Sequence, residues 1–124
     1  MKVLSAVLLL LCGIAAGASA QGAREVEIYA EKVGDVVHWM PEKVEVVPGE
    51  TVLFVFNHKL EGGFDFHGIA IDTLQIKDKV FRHKTLKIER QIPLTLKPGE
   101  YTIGCQFHPK HAPAKLIVKE PKAS

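Results

Sequence analysis

The sequence predicts an all-β protein, built as an antiparallel sandwich or barrel of short strands. Apolar residues recur at every second position in segments such as "REVEIYA" and "KTLKIERQIPLTL", and this period is that of a strand with one buried face. Turns rich in proline and glycine, such as "PGE" and "KPGE", separate these segments. No segment has the pattern of a long amphipathic helix.

The predicted elements follow one another along the chain. "REVEIYA" predicts a first strand, and "EKVEVVPGETVLFVFN" predicts two strands broken by a turn at "PGE". "HGIAID" predicts another strand that begins at His67, after a glycine-rich loop that lets the backbone approach closely. "DTLQIKDKVFRHK" suits a helical turn, a strand or an irregular crossing about equally. "KTLKIERQIPLTL", "KPGEYTIGC" and "PAKLIVKE" predict the remaining strands.

The first twenty residues have the pattern of a secretory signal peptide. Lys2, a short apolar run and the small residues "ASA" predict cleavage after Ala20. The apolar run is short for a membrane span, which needs about twenty residues. A lipid anchor at Cys12 is the less favoured alternative, because Leu11 stands where a small residue is expected. We therefore expect residues 21–124 to form one domain without a membrane span, periplasmic or secreted.

The charge of this domain narrows the choice of partners. Without the leader, 15 basic and 14 acidic residues remain among 104, with the signs mixed along the chain. This balance argues against nucleic acid as a partner. A basic cluster predicts a solvated face that could orient an acidic partner, and it consists of Lys77, Lys79, Arg82 and Lys84.

One cysteine and three histidines predict a metal site. Cys105 is the only cysteine outside the leader, and His108 and His111 follow it in "CQFHPKH". His67 begins another strand, so strand ends that meet at one pole would bring a soft sulfur and imidazoles together. This donor set suits copper that cycles between Cu+ and Cu2+. Zinc, held tetrahedrally, is the closest alternative, and a buried structural thiol is the plainest one.

The other histidines and the aromatic residues have simpler predicted roles. His38, His58 and His83 have no such neighbours in sequence and are predicted to be ordinary surface or edge residues. The larger aromatic side chains are predicted to pack in the core or at its rim, and they are Trp39, Phe54, Phe56, Phe64 and Phe66.

These segments together resemble the cupredoxins, the blue-copper class of small exported electron carriers. The resemblance runs from "HWMPEKVEVVPGETVLFVFN" through "HGIAID" to "KPGEYTIGCQFHPKH" and "KLIV". It implies a Greek-key antiparallel β-sandwich of the cupredoxin type, with one copper ion per chain. It also implies His67 as the upstream histidine ligand, Cys105 as the thiolate and His108 as the downstream histidine ligand.

The fourth ligand departs from the family's usual pattern. The expected axial methionine has no counterpart, because Met40 is the only methionine outside the leader. "TIGCQFHPKHAPAKLIV" is similar to the same segment of the nitrosocyanins, red copper proteins in which a second histidine follows the CxxH pair. His111 falls on that histidine, although the loop is two residues shorter and nitrosocyanins have a glutamate where His67 stands. We expect His111 as fourth ligand, with solvent or Glu61 as alternatives.

The function expected from this site is one-electron transfer by an exported mononuclear copper protein that is not an enzyme. Its partner would be a redox protein that docks near His108, between Phe107 and Ala112. An open copper site that binds a small molecule, as in a nitrosocyanin-like protein, and a periplasmic copper storage or delivery protein remain as alternatives. A hydrolytic cysteine enzyme is disfavoured, because it needs an oxyanion pocket and a substrate cleft.

Overall fold

The computed structural model describes residues 22–61, 65–107 and 111–121, and the regular structure of these ranges is strand apart from one 3-10 turn. The expected signal peptide, Phe64 and His108 lie outside the described residues. Within them, no helix is long and apolar enough to cross a membrane. The strands in chain order are β1 (Arg24–Val33), β2 (Val36–Met40), β3 (Lys43–Val46), β4 (Thr51–His58), β5 (Phe66–Ile71), β6 (Ile76–Phe81), β7 (Leu86–Gln91), β8 (Gly99–Ile103) and β9 (Ala114–Val118).

The strands form two sheets and a hairpin. The first sheet has the order β2-β1-β4-β7, and the second has the order β3-β9-β8. β5 and β6 make an antiparallel hairpin. The hairpin joins the end of β8 because Ala70 and Gly104 exchange two main-chain hydrogen bonds, of 2.8 and 2.9 Å. This arrangement confirms the predicted all-β sandwich.

Two strand pairs are parallel, which refines the antiparallel expectation. β1 pairs with β4 and β3 pairs with β9 in parallel, while the remaining pairs between strands are antiparallel in the described chain. The first parallel pair arises because the chain leaves the first sheet after β2, contributes β3 to the second sheet and returns as β4. Parallel neighbours require a crossover of this kind.

The alternation of β4 and β1 fills the core. In β4 every second residue is buried from Val52 to His58, and β1 turns Ile28 and Ala30 to the same interior. Removing such apolar surface from water is the main favourable contribution to folding. The largest fully buried side chains include Phe54, Phe56, Ile69, Ile71, Ile103 and Leu116.

The aromatic side chains and the segment "DTLQIKDKVFRHK" agree with their predictions, and the strand that follows is shorter than predicted. Trp39 is buried with the core, as expected, and Phe66 is half-buried at the rim. "DTLQIKDKVFRHK" contains two of the proposed elements, since a 3-10 turn at Asp72–Leu74 leads directly into β6. The predicted strand over "KTLKIERQIPLTL" is shorter than expected. β7 ends at Gln91, and Pro93, which lacks an N–H group, cannot extend the ladder.

Candidate metal centre

The candidate metal centre lies at the pole of the sandwich where two long connections meet. β4 ends and β5 begins at this pole, and β8 ends and β9 begins there as well. The rings of His67, from β5, and His111, from the β8–β9 connection, have their centroids 5.0 Å apart. The structure therefore brings together these two residues from distant parts of the sequence.

His67 is the more deeply buried of the two. It is the second residue of β5, where it lies opposite Val80 of β6, and only 3% of it is exposed. Placing an imidazole in an apolar interior costs free energy unless its nitrogens are used. Binding a metal ion is one use that repays this cost.

Cys105 is the second residue of the connection after β8, and the main chain holds it beside β5. Gly104 is hydrogen-bonded to Ala70 of β5, so the antiparallel direction places the residues after Gly104 alongside the residues before Ala70. Cys105 is half-buried there. The start of its loop thus lies alongside the segment that carries His67.

Gly68 allows the loop to approach β5 closely. A Cβ atom built on Gly68 would lie 2.5 Å from Oε1 of Gln106 and 2.6 Å from Cδ2 of Phe107. Gln106 also donates a hydrogen bond of 3.2 Å from Nε2 to the main-chain oxygen of Asp78 in β6. The residue next to His67 is therefore a glycine because the loop that follows Cys105 occupies the space of a side chain.

His58 also lies at this pole, which corrects the prediction that it is an ordinary surface or edge residue. It is 7% exposed, and its ring centroid lies 4.5 Å from that of His67, with the planes inclined by 41°. The physical reason is the alternation of β4, which buries Val52, Phe54 and Phe56 and continues onto His58. That alternation was the sequence signal for its burial.

The two remaining histidines agree with their predictions. His83 is exposed in the turn after β6. His38 is half-buried on β2, which is an edge strand of the first sheet. Its neighbour Val37 accepts a hydrogen bond of 2.9 Å from the N–H of Ala112, so β2 supports the segment that follows His111.

The expected ligands are placed as follows. His67 and His111 are in contact, Cys105 lies on the loop beside β5, and Glu61 is exposed in the connection after β4. His108 lies outside the described residues. Within residues 22–61, 65–107 and 111–121, no three His, Cys, Asp or Glu side chains form a group that could hold a metal ion. The two imidazoles in contact at the pole are donors that copper and zinc accept, and a thiolate is the further donor that Cys105 would offer.

A surface rich in aromatic side chains lies beside the pole, and we call it the aromatic face. The Phe66 ring contacts Phe81 with centroids 5.6 Å apart and meets Phe107 edge-on at 5.5 Å. Nearly half of Phe81 and of Phe107 is exposed. The ammonium group of Lys79 lies 4.9 Å from the Phe66 ring centroid and 5.6 Å from that of Phe107. The aromatic face is thus both apolar and cationic.

Comparisons of the sequence with known proteins point to one family. The family model described as "Cupredoxin-like domain" matches residues 3–118. No curated protein matches the sequence significantly.

Solved copper proteins share the fold at low sequence identity. The metal-binding domain of the Cu(I)-exporting P-type ATPase CopA of Streptococcus pneumoniae has a TM-score of 0.63 at 16% identity, covering 81% of this chain and 89% of that one. Auracyanin A, a "blue" copper protein of Chloroflexus aurantiacus, has a TM-score of 0.55 at 14% identity, covering 79% and 100%. The copper nitrite reductase of Nitrosomonas europaea has a TM-score of 0.64 at 15% identity, covering 82% and 45%.

Proposed function

This chain belongs to the cupredoxin-like domain family, and from that premise we propose that it binds one copper ion and carries one electron at a time between redox proteins. The observation that supports this proposal most is the contact between His67 and His111 at the pole where the Cys105 loop meets β5. In this proposal His67, Cys105 and His108 are the principal ligands, and His111 is the fourth.

The proposed ligand set suits an ion that changes its oxidation state. A thiolate favours Cu+, whereas imidazoles accept either state, and a copper ion bound by both supplies a reversible one-electron couple. The role of the protein is to hold the ligands in one arrangement, so that little has to move on electron transfer. With a histidine nitrogen instead of a thioether in the fourth position, we expect a lower potential and a colour away from pure blue.

Main-chain contacts support the proposal at two points, His67 and the start of the Cys105 loop. The pairing of β5 with β6 fixes His67 opposite Val80. The two hydrogen bonds between Ala70 and Gly104 fix the residue just before Cys105. Rigid strands on both sides of a site are the expected support for preorganised ligands.

The aromatic face is the proposed docking surface for the redox partner. It continues from the loop of Cys105 through Phe107, it is exposed, and it carries Lys79 at its centre. Lys77 and Lys84 are exposed in the neighbouring part of the chain. An acidic partner protein with an apolar contact area fits this combination, because complementary charge speeds association.

Export is part of the same proposal. The predicted leader, residues 1–20, would be removed at Ala20, and the mature protein would act in the periplasm or after secretion. N-terminal sequencing of the protein from its native cell tests this: a mature protein that begins near Gln21 is expected. A mature protein that begins with a lipid-modified Cys12 would replace the prediction with a lipid anchor.

The copper site is tested by the absorption spectrum of the copper-loaded protein. We expect an intense visible band from sulfur-to-copper charge transfer, which Cys105→Ser abolishes. A colourless loaded protein that prefers zinc would favour the alternative of a zinc site that braces the fold. A wild-type spectrum that responds to azide would favour the open site that binds a small molecule.

A further inference from the structure

The alternation of β4 ends on an imidazole where the strand otherwise buries hydrocarbon. Val52, Phe54 and Phe56 precede His58 on the same face, and His58 is nearly as buried as they are. An apolar residue at this position would avoid the cost of desolvating two ring nitrogens. A buried histidine at the end of a core strand therefore indicates a role for its ring at this pole.

The contacts of His58 describe that role. Its ring lies against the His67 ring, with the centroids 4.5 Å apart. The ring of His111 lies 5.0 Å from His67. The main chain of His58 is itself held, because His58 lies opposite Ala30 of β1 and bridges to Arg82. His67 thus has two imidazoles as neighbours, and one of them stands on a rigid strand end.

The hydrogen bonding of His58 argues against a role as ligand. The N–H group of Leu60 donates to Nδ1 of His58, at 3.3 Å. A neutral imidazole that accepts at Nδ1 carries its proton on Nε2. A histidine that binds a metal offers its unprotonated nitrogen to the ion and donates a hydrogen bond from the other. In His58 the unprotonated nitrogen, Nδ1, instead accepts the hydrogen bond from Leu60.

We propose that His58 is a positioning residue of the metal centre, which keeps the ring of His67 in the orientation needed for metal binding. This inference rests on the proposed copper function. Packing against His58 removes rotational freedom from the His67 ring before the metal arrives. Residues that orient a metal ligand typically change metal affinity by about 10- to 100-fold when they are mutated, and we expect a loss in that range for His58→Ala.

The test compares three variants by copper affinity, measured by competition with a chromophoric chelator. His58→Ala removes the ring, and His58→Phe keeps a ring of similar size against His67. His83→Ala removes an exposed histidine and is the control. We expect a loss of about tenfold or more for His58→Ala, recovery of most of that loss in His58→Phe, and wild-type affinity for His83→Ala.

Two further measurements separate positioning from ligation and from a purely structural role. Pulsed paramagnetic resonance counts the imidazoles bound to copper, and the count should be the same in the wild type and both His58 variants. Chemical denaturation of each variant reports how much of it is folded, so that affinity is compared for folded protein. A smaller imidazole count in both His58 variants would make His58 a ligand, and equal affinity in all variants would show that the ring of His58 does not position His67 for metal binding; either result overturns the proposal.

The metal-free protein provides a test that does not depend on copper. Side-chain NMR of His67 should show one ordered ring in the wild type and in His58→Phe, and a mobile ring in His58→Ala. An equally ordered His67 ring in His58→Ala would overturn the positioning role. Failure of the wild type to bind copper, with these NMR differences present, would refute the proposed function and leave only the ordering of the His67 ring by His58.

Discussion

Gly68→Ala tests how the structure holds the ligand loop. The new methyl group would lie 2.5 Å from Oε1 and 2.8 Å from Cδ of Gln106, and 2.6 Å from Cδ2 of Phe107. These distances are too short for any real contact. Both neighbours are the ends of side chains, so they are expected to turn outward while the strand itself stays in place.

The free-energy cost follows from what these side chains lose as they turn. The hydrogen bond from Gln106 to the main chain of Asp78 contributes about 0.5–1.5 kcal/mol. The edge-on contact between Phe107 and Phe66 contributes about 0.5–1.5 kcal/mol. Replacing glycine by alanine restricts the unfolded chain and returns about 0.4–1 kcal/mol. We therefore expect Gly68→Ala to lower the free energy of unfolding by about 1.3 kcal/mol, within a range of roughly 0–2.6 kcal/mol that these contributions allow.

The assay is chemical denaturation of the metal-free protein, together with the visible spectrum of the copper-loaded protein. Gly104→Ala is the matched control, because Gly104 lies on the same loop and is hydrogen-bonded to Ala70 of β5. Its added Cβ would find its nearest neighbour at 3.6 Å, the Cγ2 atom of Thr102, which is an ordinary contact. We expect a shifted copper band only in Gly68→Ala. Wild-type stability and spectrum in Gly68→Ala, or equal damage in Gly104→Ala, would refute the packing argument.

Further predictions concern the fourth ligand and the docking surface. His111→Ala should make the oxidised copper spectrum respond to azide. His111→Met should raise the reduction potential and move the colour toward blue, because a thioether stabilises Cu+. A wild type that already responds to azide, with no change in His111→Ala, would contradict both expectations. Phe107→Glu should slow electron self-exchange with an unchanged spectrum, and an unchanged rate would place the docking surface elsewhere. Lys79→Glu should slow electron transfer to an acidic redox protein, most strongly at low ionic strength, because salt screens exposed charges. The control Lys87→Glu, on β7, should slow it less. Equal effects of the two changes would rule out the aromatic face as the docking surface.

The fold class was predictable because the strands follow simple alternation. β1 and β4 are clear examples, since their buried residues occupy every second position. β2 was harder to predict from its sequence "VVHWM", because a strand with few polar residues lacks a clear period. The parallel pairing of β1 with β4 was not predicted. It depends on the chain crossing between sheets, which no local pattern records.

The candidate site was predictable in part for a similar reason. "CQFHPKH" and the strand start at His67 predicted that histidines from the two segments lie close together, and the structure places His67 and His111 in contact. Their roles as ligands stay predictions. His58 was overlooked because its contact is with His67, which lies on a different strand. The alternation of β4 already indicated its burial, and the contact with His67 required the three-dimensional structure.

The most direct test of the account is a redox titration of the copper-loaded protein with the metal content measured at each step. We predict one copper ion per chain, a reversible one-electron change in the sulfur-to-copper band, and copper that stays bound in both oxidation states. Zinc retained in preference to copper, or copper lost from the protein on reduction, would contradict the assignment of this chain as an electron carrier.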